Sequence, residues 1–248
     1  MKRLNILTTI GIIASIFVSV MFFYLGIQAR TGGTVPQIFQ KTYVVEGKYY
    51  GEPRDVRVWI TPNEEAIKRE ALKLKQDNDI ATISAVYNFL EQKYNYTLDN
   101  IVVTDSGIII LKAYPDQWNT PIESLAIIHQ NDGNFYGDCE DGTYLLIAIL
   151  RYLGINAYAN LGTVELPSGI YGHGYGTVII NGKEYLLETT LGQSLAELKP
   201  VPSFYHPTLK FNEKDVIPIT GEDINKVVHI YPPLPPACLN ELKKALGD

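Results

Sequence analysis

The stretch Gly172-His173-Gly174-Tyr175-Gly176-Thr177-Val178-Ile179-Ile180-Asn181-Gly182-Lys183-Glu184-Tyr185-Leu186-Leu187-Glu188-Thr189-Thr190 decides the fold. Its centre, Asn181-Gly182, is the strongest short hairpin signal, because both central positions of the tight turn need a positive φ. The flanks read as strands, Gly172–Ile180 and Lys183–Thr190. A two-residue turn puts His173 opposite Thr190 and Tyr175 opposite Glu188. Glu188 is then the diagonal neighbour of His173 on the same face, about 7–8 Å away. Its side chain is long enough to reach the imidazole, while Thr189 points to the other face. An ordinary strand histidine would share these surroundings, so chemistry requires a third group from elsewhere.

Working upstream, Ala157–Leu166 is a further strand, and most of the chain before it reads as helix. Thr61-Pro62-Asn63-Glu64 predicts a helix start, with Thr61 at the N-cap, Pro62 at N1 and Glu64 reaching back from N3. Asp79 is expected to cap a second helix, with Ile80, Ile83, Val86, Tyr87 and Leu90 at helical spacing. Ile108–Leu111 reads as a buried strand, and Val56, Val58 and Ile60 share one face of an expected short strand. Thr120-Pro121-Ile122-Glu123 repeats the capping pattern. Asp138 caps a third strong helix carrying Leu145, Leu146, Ile149 and Leu153 inward, with Gly154 as its stop. Helices followed by an antiparallel sheet make an α+β fold.

The third group is Cys139, in Gly137-Asp138-Cys139-Glu140-Asp141-Gly142. It stands at the first position of a helix, where free N–H groups and the helix dipole favour a thiolate, the form that attacks acyl carbons. The alternative is a small buried thiol, or one disulfide to Cys238, the only other cysteine. The three acids around Cys139 oppose the thiolate and partly cancel the helix terminus. With His173 as base and Glu188 orienting it, Cys139 completes a nucleophile–base–orienter set.

Three strings carry a family resemblance: Trp118-Asn119-Thr120-Pro121-Ile122-Glu123-Ser124-Leu125, Gly137-Asp138-Cys139-Glu140-Asp141 and Leu150-Arg151-Tyr152-Leu153-Gly154-Ile155. Together with the strand histidine and following carboxylate they resemble the transglutaminase-like (papain-like) superfamily, most of all its bacterial and archaeal cysteine-proteinase-like members. The match spans about Asp79 to Gly192. It implies a papain/transglutaminase-like core with N-terminal helices packed on an antiparallel sheet, and a catalytic Cys139, His173 and Glu188. Glu188 departs from the family's usual Asp. The implied chemistry is attack of Cys139 on a carboxamide or peptide carbonyl. Water as acceptor makes a peptidase or amidase, and an amine makes a cross-linking transglutaminase. The oxyanion would meet the Cys139 N–H and one donor from Gln117, Trp118 or Asn134. No cofactor is required. Some periplasmic relatives bind Ca²⁺ through acids flanking this cysteine, which points to Asp138, Glu140 and Asp141 as an optional calcium site. A catalytically silent binding or scaffold domain of the same fold is the rival of a different class.

The chain's start sets its compartment. Leu4–Ala29 is 26 residues without a charge, after Met1-Lys2-Arg3. As a helix rising about 1.5 Å per residue it reaches roughly 39 Å, more than a hydrocarbon core of about 30 Å. Ile27-Gln28-Ala29 is a poor cleavage site, so residues 1–29 read as a retained signal anchor with the N-terminus cytoplasmic. The rest becomes a single-pass protein's extracytoplasmic domain at the cell membrane: a linker and short strand region at 30–60, the transglutaminase-like domain at 61–230, and a Pro-rich strap and C-terminal helix at 231–248. Lys2 and Arg3 are the only charges before residue 30, so the remaining 219 residues hold 19 basic against 27 acidic, a net of −8. That charge disfavours nucleic acid as a partner and leaves a protein or peptide substrate. Tyr231-Pro232-Pro233-Leu234-Pro235-Pro236 reads as a stiff polyproline II strap. His129, His206 and His229 have no metal-ligand spacing.

Overall fold

The computed structural model describes residues 44–49, 52–98, 101–103, 109–111, 118–130, 135–191, 198–221 and 231–247, all within the unit Tyr43–Asp248. The apolar segment Leu4–Ala29 lies outside them, and among the described residues no helix is long and apolar enough to cross a membrane.

Strands β1 (Val44–Tyr49) and β2 (Glu52–Asp55) form an antiparallel pair. The short strand expected around Val56–Ile60 is instead a 3₁₀ turn, Val56–Trp59. Asp55 caps it by accepting the Arg57 N–H at 2.9 Å. A three-residue turn then buries Val56, Trp59 and Ile60 and leaves Val58 exposed. Helix α1 (Glu65–Leu74) starts later than its capping pattern predicts. Residues 62–64 make a turn closed by the Glu64 N–H on the Thr61 carbonyl, and the Thr61 hydroxyl caps nothing. Helix α2 (Asp79–Lys93) is capped by Asn78 rather than Asp79, since Asn78 Oδ1 accepts the Ala81 N–H at 2.9 Å. Ile83, Val86, Tyr87 and Leu90 face inward as expected, but Ile80 in the first turn is 58% exposed.

Next come β3 (Tyr94–Tyr96), β4 (Ile101–Val103), β5 (Ile109–Leu111) and helix α3 (Pro121–Gln130). The Thr120 capping arrangement forms: the Thr120 N–H and hydroxyl both donate to Glu123 Oε2 at 2.7 Å. Strand β6 (Phe135–Gly137) pairs in parallel with β3 and leads into helix α4 (Cys139–Tyr152). Gly154, at φ 82°, stops α4 as the sequence predicts. Every residue of α4 from Cys139 to Leu150 is buried, so it is the central helix of the fold.

The sheet is built from β7 (Ala157–Leu166), β8 (Gly169–Ile180), β9 (Lys183–Leu187), β10 (Tyr205–Phe211) and β11 (Val216–Pro218), in the order β11-β10-β7-β8-β9, all antiparallel. The turn has Asn181 at φ 51° and Gly182 at φ 76°, the conformation inferred from that dipeptide. The predicted register holds from Ile180↔Lys183 to Gly176↔Leu187. The ladder stops there rather than at Thr190, and this early end opens the edge of β8.

The two faces of the sheet bury two separate cores. Ala157, Ala159, Leu161, Val178 and Leu187 pack with α4 in the larger one. Val164, Leu166, Tyr175, Leu186 and Tyr205 form the other with Leu234, Cys238 and Leu242 of the C-terminal segment. That segment runs through the strap, a 3₁₀ turn (Pro236–Cys238) and helix α5 (Leu239–Ala245). Tyr205 belongs to the second core because β10 has an irregularity between Pro207 and Leu209. A regular strand would put Tyr205 on the same face as Leu209 and Phe211, and one extra residue flips it. Gly162 makes this possible, since a Cβ there would lie 2.1 Å from the His206 carbonyl oxygen.

Both cysteines are free thiols, so the alternative of a Cys139–Cys238 disulfide is overturned. The two belong to different elements, and Cys238 sits against Ser168 Oγ at 3.5 Å and Tyr171 OH at 3.6 Å.

Candidate active site

The site forms where β9 leaves the sheet. In an antiparallel strand the N–H and C=O of one residue point to the same edge, and alternate residues share that edge. On β8 the residues facing β9 are paired from Gly176 onward. At Gly174 the tip of α4 takes over from β9. The Gly174 N–H donates to Cys139 Sγ at 3.2 Å, and the Thr143 hydroxyl lies 3.5 Å from the Gly174 carbonyl. At Gly172 the N–H donates to Pro232 O at 2.8 Å. One strand edge thus carries β9, the cysteine and the strap in succession. Glycine at 174 is needed for this approach: a Cβ would stand 3.3 Å from Glu140 N, Cα and Cβ.

Several contacts fix the tip of α4. The Tyr94 hydroxyl lies 3.1 Å from the Gly137 carbonyl and donates to the Asp138 carbonyl. Its ring fits only because residue 142 is glycine, where a Cβ would lie 3.0 Å from Tyr94 Cζ. Thr143 Oγ1 donates to the Cys139 carbonyl at 2.7 Å and sits 3.3 Å from Thr189 Oγ1. Asp138 is the N-cap residue, as expected, but makes no side-chain capping hydrogen bond.

His173 and Glu188 meet as the register predicts, with Nε2 2.8 Å from Oε2. Both side chains are buried. Glu188 is anchored on both oxygens. Oε1 accepts the Thr190 N–H at 2.9 Å and the Thr190 hydroxyl at 2.6 Å, and Oε2 also accepts the Tyr205 hydroxyl at 2.7 Å. Burial alone would raise the Glu188 pKa, but the neighbouring His173 charge and the His173 and Thr190 hydrogen bonds outweigh it. The result lies below the ordinary glutamate value. The His173 ring stacks with Tyr175, centroids 6.1 Å apart, and its Nδ1 makes no hydrogen bond.

The thiol environment differs from the sequence expectation of a favoured thiolate. Cys139 Sγ donates to Glu140 Oε2 at 3.2 Å. Burial, then the charges of Glu140 and Asp138, push its pKa well above the ordinary thiol value, against a smaller opposing effect of the Gly174 N–H. The helix terminus does not prevail, because buried carboxylates stand closer to the sulfur than the diffuse dipole acts.

Of the three acids offered as a calcium site, two stay with the cysteine. Ligand atoms of Asp138, Cys139 and Glu140 lie within 4.8 Å of one another. Asp141 is turned away and accepts the Asn119 N–H at 2.7 Å and Asn119 Nδ2 at 2.9 Å, tying the start of α3 to α4. Of the oxyanion candidates, Gln117 and Asn134 lie outside the described residues. Trp118 is buried edge-on to Trp59 and Tyr144, with centroids 5.5 Å from each. The sequence did not point to Tyr205 or Thr190. Thr190 is two residues from Glu188 and was expected opposite His173, so it could have been suspected, whereas Tyr205 reaches the site only through the β10 irregularity.

No protein-family model matches the chain, and no curated protein does. Similar solved structures include Legionella pneumophila LapG in an EGTA-treated form, 18% identical with TM-score 0.44, covering 65% of this chain and 87% of LapG. The calcium-bound LapG is also 18% identical, with TM-score 0.43, covering 73% of this chain and 87% of LapG. A Cytophaga hutchinsonii protein provisionally assigned as a cysteine protease is 18% identical with TM-score 0.37. That match covers 67% of this chain, which spans only 48% of the Cytophaga protein.

Proposed function

We propose that the chain is a cysteine peptidase or amidase acting through Cys139, His173 and Glu188 on a papain/transglutaminase-like core. One observation carries the reading: a buried imidazole is held through Nε2 by an anchored carboxylate, its other nitrogen has no partner, and the next residue's N–H touches a thiol at a helix tip.

In the reaction, the Cys139 proton passes to His173 Nδ1 and sulfur bonds to the substrate carbonyl carbon. The carbonyl π electrons move to oxygen, which helix-tip N–H groups stabilise. The oxyanion collapses, the C–N bond breaks, and the amine leaves with the proton from His173. Water then adds to the thioester, giving its proton to His173, and the carboxylic acid leaves as Cys139 regains its proton. Glu188 stays ionised and stabilises the imidazolium in both halves.

Asp138 and Glu140 suit a hard cation: they are buried, and Glu140 Oε1 has no hydrogen-bond partner. Bound Ca²⁺ would supply positive charge beside the thiol. Asp141 is committed to Asn119 and falls outside this set. We place the domain outside the cytoplasm, carried by the Leu4–Ala29 anchor, with peptides or proteins as substrates.

The test is a trapped acyl-enzyme. Incubation with peptide esters or amides should add one acyl mass at Cys139, and Cys139→Ala and His173→Ala should abolish both adduct and turnover. The raised thiol pKa favours a silent binding domain as the second reading. A wild-type chain forming no adduct, with Cys139 less reactive than a model thiol, would decide for that reading.

A further inference from the structure

The strap is the best-placed feature that the proposed reaction leaves unused. It contacts the same edge of β8 as the nucleophile, two residues away. Gly172 and Gly174 point the same way along that edge, so the Pro232 carbonyl and Cys139 Sγ are about 7 Å apart along the strand. The pairing is strand-like, with Gly172 bridged in parallel to Pro233. Room for it comes from the missing side chain at Gly172, where a Cβ would lie 3.3 Å from the Tyr231 carbonyl oxygen. Two further attachments hold the strap: the Tyr96 hydroxyl donates to the Leu234 carbonyl at 2.5 Å, and the Leu234 side chain is fully buried in the second core. Cys139 and His173 are only 5% and 4% exposed.

This is how an extended peptide would lie to present a carbonyl to the sulfur. Main-chain pairing to an open strand edge is a general mode of peptide recognition. We propose that Tyr231–Pro236 is a built-in occupant of the peptide-binding edge beside Cys139, and that an extended peptide substrate binds by replacing it. The inference rests on the cysteine-peptidase reading and assigns that site its substrate class and its resting block. Four of the six strap residues are proline, leaving only Tyr231 and Leu234 with a main-chain N–H. A peptide with an N–H at every residue offers the same edge more donors, so it can displace the strap.

The experiment reads accessibility, which needs no turnover. Alkylation of Cys139 by iodoacetamide is followed by peptide mass mapping, in chelator, for the full chain and for Tyr96→Phe and Leu234→Ala. Loosening the strap should accelerate alkylation about three- to tenfold, the worth of one hydrogen bond. A synthetic Tyr-Pro-Pro-Leu-Pro-Pro peptide should slow it again and compete with peptide substrates. Unchanged alkylation in a folded Tyr96→Phe variant, or no protection by the hexapeptide, overturns the proposal. Tyr96→Phe keeps the test sharp should Leu234→Ala unfold the C-terminal segment. Turnover on the same samples separates the two readings. Faster alkylation without any hydrolysis sinks the peptidase reading and leaves a strap-covered peptide-docking edge.

Discussion

Glu188 and Glu140 are both buried at the candidate site, and the fold treats them in opposite ways. Four hydrogen bonds from His173, Thr190 and Tyr205 converge on Glu188, whose pKa falls although burial alone would raise it. Glu140 has one oxygen against the Cys139 thiol and the other without a hydrogen-bond partner, and its charge pushes the thiol pKa up. Donors, not depth, decide what a buried carboxylate does. One carboxylate is organised to support an imidazolium. The other adds its charge to the burial that already raises the thiol pKa.

The largest test of that contrast is loss of the sulfur itself. Cys139→Ala should lower turnover by about a millionfold, as expected for the nucleophile of a coupled set, with the thermal transition retained. Substantial residual hydrolysis would make the Glu140 brake irrelevant to function.

Stability separates the carboxylates next. Glu188→Ala leaves the His173, Thr190 and Tyr205 groups buried without their acceptor and should cost about 3–5 kcal/mol in urea unfolding. Glu140→Ala should cost far less, because it removes an incompletely satisfied charge. Equal losses would break the comparison. The pH dependence has opposite signs at the two ends. Glu188 is lowered in the folded state, so its contribution is complete above the unfolded glutamate value of about 4.3 and is lost as pH falls through the folded one. Cys139 is raised, so its contribution is complete below an unfolded thiol value of about 8.5 and is lost as pH rises. Glu188→Gln should flatten the acid limb of a melting-temperature profile, and Cys139→Ala the alkaline limb.

Tyr205→Phe sharpens the picture at about 1.5–3 kcal/mol, the range for a hydrogen bond to a charged group. It should also make the acid limb shallower, because the folded Glu188 pKa moves back toward the unfolded one, which simple loss of packing would not do. The smallest effect falls on the brake. Glu140→Gln should raise the neutral-pH alkylation rate of Cys139 about five- to tenfold by removing a like charge. Calcium added to the wild type should act in the same direction, with EGTA reversing it. No response to either would remove Glu140 from control of the thiol.

The readable parts of the fold were those governed by local rules. Asn181-Gly182 determined the hairpin, its turn and its register, and the register brought His173 to Glu188. Thr120 and Glu123 formed their cap, and Gly154 ended α4. Local rules failed where neighbours competed. Asn78 displaced Asp79 as a cap because its side chain reaches the Ala81 N–H from one residue earlier. The predicted strand at Val56 became a turn because Asp55 caps it and Trp59 has the core to enter.

By itself, the sequence determined an α+β order, a cysteine at a helix start, and a hairpin whose two arms bring a histidine and a carboxylate together, because capping, turn preference and strand alternation act within a few residues. Only the tertiary structure decided that β9 ends early enough to admit the tip of α4 to the edge of β8, that an irregular β10 turns Tyr205 onto Glu188, and that burial and then the neighbouring acids raise the thiol pKa. Those outcomes depend on backbone approach and desolvation between segments far apart in the chain, which no local pattern records.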